Sequence, residues 1–159
     1  MSAFGRQTHD LGGCRLRPLE AADAAPLAAA LVELDPWRTL GFRQEPLADY
    51  LERDDAALAR FVVEREAPIG LVAVRSPWLR GPSIELLALL PAAQGTGIGG
   101  QLVAWAAAQA APAANLWACV SAFNAPARAF YARHGFVETA TLRDLATAGF
   151  DEILLRKRL

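Results

Sequence analysis

At 159 residues, with 53% hydrophobic and 21% charged side chains, the chain suits one domain with a real core and is too apolar to be disordered. Sixteen basic against seventeen acidic residues leave a formal charge of −1, and no block of like charges offers a footprint for nucleic acid or an anionic membrane. No apolar run approaches the ~18 residues that span a bilayer, and residues 1–13 lack a signal-peptide core, so a cytoplasmic protein without nucleic-acid or membrane partners is expected.

Residues 1–13 contain glycine and show no period, which predicts a flexible leader ahead of a single domain at 14–159. Cys14-Arg15-Leu16-Arg17-Pro18 alternates as a short strand does. Leu27, Ala30, Leu31 and Leu34 recur at helical spacing, with Asp23 near the start and Asp35-Pro36-Trp37 as the stop. Pro46 opens a second helix whose inner face carries Leu47, Tyr50, Leu51 and Leu58. Residues 60–64 and 69–75 read as an antiparallel hairpin, and residues 76–82, with two prolines and a glycine, as the loop beyond it.

Residues 84–90 are rich in bulky aliphatics and too few for an ordinary helix; this strand stops at Pro91, which cannot donate to a ladder. After a glycine-rich turn, Ile98, Leu102 and Trp105 mark one face of a helix that ends near Ala110, before Pro112. A fifth strand at 116–120 follows. Asn124 is an N-cap, Pro126 suits a first turn, Phe130, Tyr131 and His134 space a buried face, and Gly135 closes that helix. Residues 136–142 and 152–158 read as two last strands, with 144–149 between them. Cys14 and Cys119 lie far apart without ligand spacing, and His9 and His134 join no cluster, so free thiols and no metal are expected.

The chemistry concentrates at the glycines. Gly95, Gly97, Gly99 and Gly100 allow positive φ and close approach of a ligand to backbone N–H groups, and the helix that follows presents unpaired donors at its positive end. Such a place binds an anion, most simply a phosphate. A nucleoside-triphosphate loop needs Gly-Lys-Ser/Thr, but Gly100 precedes Gln101 and Leu102. Gly95, Gly97 and Gly100 meet the dinucleotide spacing, yet ~20 residues on stand Val120 and Ser121 rather than an acid. Gln94, Gly97 and Gly99 meet Q/R-x-x-G-x-G/A behind an I-E-x-L-x-φ-x-P strand (φ apolar), which resembles the acetyl-CoA loop of the GNAT N-acetyltransferases. On the loop alone, a glycine-rich helix start that binds nothing stays open. Asn124 to Phe136 is similar to that family's N-x-x-A-x-x-x-Y-x-x-x-G-F helix, and the element order β-α-α-β-β-β-α-β-α-β-β extends the resemblance over residues 14–159.

The resemblance implies an α/β (α+β) acyl-CoA N-acyltransferase fold, with a mixed, mostly antiparallel sheet of about six to seven strands, splayed at its centre and flanked by about four helices. It implies transfer of an acetyl group from acetyl-CoA, without a metal, to a primary amine of a small molecule or a peptide; the alternative is a non-catalytic acyl-CoA-binding module. Backbone groups of Leu89 and Leu90 would pair with the pantetheine arm. Gln94 and the N–H groups of Gly95, Thr96, Gly97, Ile98 and Gly99 would hold the pyrophosphate, and Asn124 would contact the arm or serve only as a cap. Tyr131 would protonate the departing thiolate, against the blander reading of a core tyrosine. Glu85 would be the base: it precedes Pro91 by six residues and shares a strand face with Leu87 and Leu89, an apolar setting that raises a carboxyl pKa, unless it is solvated or salt-bridged. Asp35, Trp37, Arg38 and Phe42, with residues 144–150, would wall the acceptor site, although Trp37 suits packing as well. The acceptor's identity and a homodimer are left open.

Overall fold

The computed structural model describes residues 4–159. Its strands are β1 (His9–Asp10), β2 (Arg15–Pro18), β3 (Leu58–Glu64), β4 (Pro68–Trp78), β5 (Gly81–Leu89), β6 (Asn115–Ser121), β7 (Val137–Thr147) and β8 (Phe150–Arg158). They form one sheet in the order β1-β2-β3-β4-β5-β6-β8-β7, antiparallel except where β6 runs parallel to β5. The sheet therefore has eight strands rather than six to seven. Period-two alternation gives it two apolar faces. Phe61, Val63, Val72 and Ile84 pack with Ile98 and Leu102 of α3 (Ile98–Ala110) and with Tyr131 of α4 (Ala125–Arg133). Val62, Leu71 and Ala73 pack on the other side against α1 (Ala21–Leu31) and α2 (Gln44–Glu52).

Local chemistry sets the helix starts. Asp23 Oδ2 accepts the Glu20 N–H at 2.9 Å, capping α1. Arg17 joins Asp23 at 2.7 Å and the buried Glu64 at 2.9 Å, tying α1 to β2 and β3.

Three expectations about the chain need correction. The segment before Cys14 is part of the fold from Phe4 onward: Phe4 and His9 each set their rings edge-on to Trp105 at 5.4 Å, which covers the end of the α3 face with aromatic surface. Met1 to Ala3 lie outside the described residues. Residues 76–82 are a tight hairpin rather than a loop. Trp78 pairs with Gly81, and the register slips between Arg75 and Trp78, so Pro77 sits where the ladder asks for no N–H. Residues 144–149 mostly lengthen the last hairpin, with Asp144 in the left-handed region and its Oδ1 accepting the Gly149 N–H at 2.6 Å.

At the centre, β5 meets β6 only through Ser83 with Trp117 and Ile84 with Ala118. β5 continues to Leu89 and β6 to Ser121, so the two strands splay and leave a gap.

Candidate active site

The loop after β5 holds Gly95 at φ 72° and Gly97 at φ 85°, with open space where a Cβ would stand. Gly97 caps α3, and the first bond into the helix runs from Gln101 N–H to the Gly97 carbonyl at 3.3 Å. Among the described residues, the N–H groups of residues 95–100 find no acceptor. No acid occupies the first turn to neutralise the helix dipole. Gln94 donates from Nε2 to the Leu89 carbonyl at 3.0 Å, folding the loop back on its strand, and Thr96 Oγ1 bonds the Ala93 carbonyl. Gly99 and Gly100 have a different reason to lack side chains. A Cβ on Gly99 would come within 3.0 Å of the Phe130 ring, and one on Gly100 within 2.7 Å of His134. These two glycines let α4 lie against α3, and only Gly95 and Gly97 serve the open turn.

The gap offers backbone groups in a definite pattern. Leu90 donates to the Ile69 carbonyl at 2.8 Å, which makes Gly70–Leu89 a non-hydrogen-bonded pair and turns both Leu89 polar groups away from β4. The same alternation turns Leu87 into the gap. Leu90, expected beside Leu89, donates its N–H to β4 and accepts the Ala93 N–H at 2.9 Å, so one lone pair of its carbonyl is all it has left to offer, as the Leu89 carbonyl has beside Gln94. Across the gap, Asn124 Oδ1 accepts the Ala127 N–H at 3.3 Å as an N-cap, while its amide NH₂ is unbonded among the described residues. Tyr131 packs its ring between Phe130 at 5.2 Å and Phe136 at 5.1 Å. Its hydroxyl has no hydrogen-bond partner among the described residues and borders the cavity. Burial, with Cys119 second, pushes the phenol above its ordinary pKa and keeps it protonated at neutral pH.

That cavity, of about 870 Å³, opens on the α1–α2 face of the sheet. Trp37 and Phe42 wall it from the α1–α2 connection, Leu142 and Leu145 from the last hairpin, and Thr147 Oγ1 ties the two walls by donating to the Leu40 carbonyl at 2.9 Å. Trp37 also packs against the core, so its ring both lines the cavity and anchors the α1–α2 connection. Asp35 and Arg38 do not line the cavity; they pair with each other at 3.1 Å on the surface. Cys119 of β6 opens onto the cavity, and enclosure together with the Glu152 and Glu85 charges pushes its thiol up to about 11.

Glu85 is not where strand alternation puts it. Ala73 pairs with Leu86 and Val74 with Ile84, so Glu85 is the extra residue of a β-bulge. The bulge flips the register, leaving Leu87 and Leu89 packed on the α3 side while Glu85 meets Tyr50 of α2. In place of apolar neighbours it has Arg75, which binds both carboxylate oxygens, and the Tyr50 hydroxyl at 2.8 Å. The sequence reading missed Glu152, a buried β8 carboxyl paired in register with Ser121 and lining the cavity. Ser121 Oγ donates to its Oε1 at 2.7 Å, and burial raises its pKa. A clue was present in the sequence: Glu152 directly precedes the apolar residues Ile153, Leu154 and Leu155, as an acid on one face of a half-buried strand does.

A family model described as the acetyltransferase (GNAT) family matches residues 27–136, more than half of the chain. The chain belongs to this family. As a GNAT acetyltransferase it is an acyltransferase, and acetyl-CoA is the donor that the family uses. Among solved structures, an acetyltransferase from Thermus thermophilus is 24% identical at TM-score 0.69, with 91% of this chain and 96% of that one covered. A GNAT acetyltransferase from Elizabethkingia anophelis with acetyl-CoA bound is 20% identical at TM-score 0.67, covering 93% and 99%. A chimeric spermidine N-acetyltransferase drawn in part from Vibrio cholerae is 24% identical at TM-score 0.64, covering 90% and 94%. At these identities the likenesses support the fold. No curated protein matches significantly. Among the described residues, no group of three His, Cys, Asp or Glu side chains is placed to hold a metal, and no helix is long and apolar enough to cross a membrane.

Proposed function

We propose that this GNAT protein transfers an acetyl group from acetyl-CoA to a primary amine of a small molecule or a peptide, by direct attack within a ternary complex. The observation that carries the reading is the run of N–H groups at residues 95–100 that find no acceptor among the described residues, opening beside the gap that the Leu89 N–H faces, with the Tyr131 hydroxyl on the adjoining cavity. Gly95, Thr96, Gly97, Ile98 and Gly99 would hold the pyrophosphate through backbone N–H groups, Leu89 would pair with the pantetheine arm, and the free amide of Asn124 would contact it. Bound there, acetyl-CoA supplies a thioester, an electrophilic acyl carbon on a good leaving group. Tyr131 holds a proton that a thiolate, of solution pKa ~8.5, would accept. An alkylamine with a pKa of ~10.4 arrives as an ammonium ion and has to lose a proton before it can attack. The cavity offers two carboxylates for this, Glu85 and Glu152.

Gly97→Val tests the loop. Its φ of 85° strains any β-branched residue, while the open space around it leaves the fold intact, so calorimetry should show lost acetyl-CoA binding in a folded protein. Unchanged affinity would remove the phosphate site. Tyr131→Phe should lower kcat by ~10²- to 10⁴-fold with acetyl-CoA affinity preserved, measured by thiol release on an amine panel. A Phe variant that melts early but turns over normally makes Tyr131 a packing residue. Binding of acetyl-CoA without thiol release on any amine would instead describe a non-catalytic module.

A further inference from the structure

The cavity's two carboxylates differ in what they have left to bind. Both oxygens of Glu85 are engaged by Arg75, with Tyr50 donating to one of them. Glu152 has Ser121 on Oε1 and, among the described residues, no partner on Oε2 and no cation within ion-pair distance. The groups around it are Ser121 and the Cys119 thiol on β6, Glu85 on β5, Tyr131 on α4, and the uncharged Leu142 opposite it on β7. Arg43, exposed at the start of α2, is the one cationic side chain on the cavity wall among the described residues. A buried carboxylate with a free oxygen and neutral or anionic neighbours calls for a cation from outside. The remaining walls, Trp37, Phe42, Trp78, Leu86, Leu142 and Leu145, are apolar.

We propose that Glu152 receives the ammonium group of the acceptor and takes its proton, and that the acceptor is a monoamine on an apolar body, of the arylalkylamine kind. The proposal rests on the acetyl-transfer reading above. Charge counting selects a monoamine: one unpaired carboxylate matches one ammonium, whereas a polyamine brings further charges to apolar walls. In the step, the ammonium gives one proton to the Glu152 carboxylate. The nitrogen lone pair forms the C–N bond to the acyl carbon, and the C–S bond breaks with its electrons on sulfur. The thiolate takes the Tyr131 proton, the second nitrogen proton restores the phenol, and Glu152 releases its proton to solvent. Burial makes Glu152 a stronger base than an exposed carboxylate, which favours this role.

The test compares wild type and Glu152→Gln with phenethylamine, with spermidine, and with an aniline that is uncharged at assay pH, alongside acetyl-CoA affinity by calorimetry. Wild type should prefer phenethylamine to spermidine. Glu152→Gln should lose about 10²-fold or more in kcat/KM on phenethylamine, recover as pH rises, and lose little on the aniline, which needs no base. Calorimetry in the presence of CoA should show weakened phenethylamine binding to the variant, while its acetyl-CoA affinity stays at the wild-type value. Equal losses on both amines, wild-type turnover by the variant, or preference for spermidine each overturns the proposal and leaves acetyl transfer standing. Failure of wild type to bind acetyl-CoA overturns the parent reading as well.

Discussion

Glu85 and Glu152 both reach the cavity from the same face of the sheet, one from each side of the central gap. They carry the same group in opposite settings. Glu85 lies in a bulge beside Arg75, which binds both its carboxylate oxygens while also holding Asp55 at 3.1 Å, so Glu85 has an ion-pair partner within the protein. Glu152 is set in a regular ladder, buried, with one hydroxyl for company. The strand motif around the glycine loop drew attention to the first, yet the second has the free lone pairs. A carboxylate's neighbours, more than its place in a motif, decide whether it can accept a proton or a cation.

The contrast can be broken from either side. The larger effect should come from Arg75→Ala, which strips Glu85 of its guanidinium and leaves Asp55 one partner fewer; a loss of about 1.5–3 kcal/mol is expected for hydrogen bonds to charged groups, read from the denaturant midpoint. A loss below about 0.5 kcal/mol would mean that the pair behaves as an exposed surface bridge and that the asymmetry is weak. The smaller effect should come from Glu152→Gln on stability. Burial raises the folded-state pKa of Glu152 above its ordinary value of 4.5, so its protonated form is the one the fold favours. Stability from this group is full below the unfolded pKa and declines as pH rises through the folded one. The Gln variant cannot ionise, so it should melt slightly above wild type at neutral pH, with the difference closing as pH falls toward 4.5. A lower melting temperature for the variant at pH 7 would show that the ionised form is stabilised by a partner.

The parts of the site that are local in the chain were legible. The strand before Pro91, the turn at Gly95 and Gly97, the α3 start and the Asn124 cap are each settled by residues within one or two turns of one another. Hairpin ends were read less well. Residues 76–82 and 144–149 carry loop-like Pro, Gly and Asp, but ladder pairing on either side extended the strands and absorbed those residues as bulges and tight turns. The segment at Phe4 and His9 gave no periodic signal, because its order comes from Trp105, about a hundred positions away.

By itself the sequence determined the element order from β2 onward, the glycine turn and the helix carrying Tyr131, because hydrophobic period, glycine φ and capping act between near neighbours. Tertiary structure alone decided that Gly99 and Gly100 serve helix packing, that Glu85 faces α2 through a bulge, and that Glu152 is left without a counter-charge among the described residues. The physical reason is that desolvation and charge pairing depend on what crosses from other strands and helices. A one-residue slip in register exchanges those partners and leaves almost no trace in the local pattern.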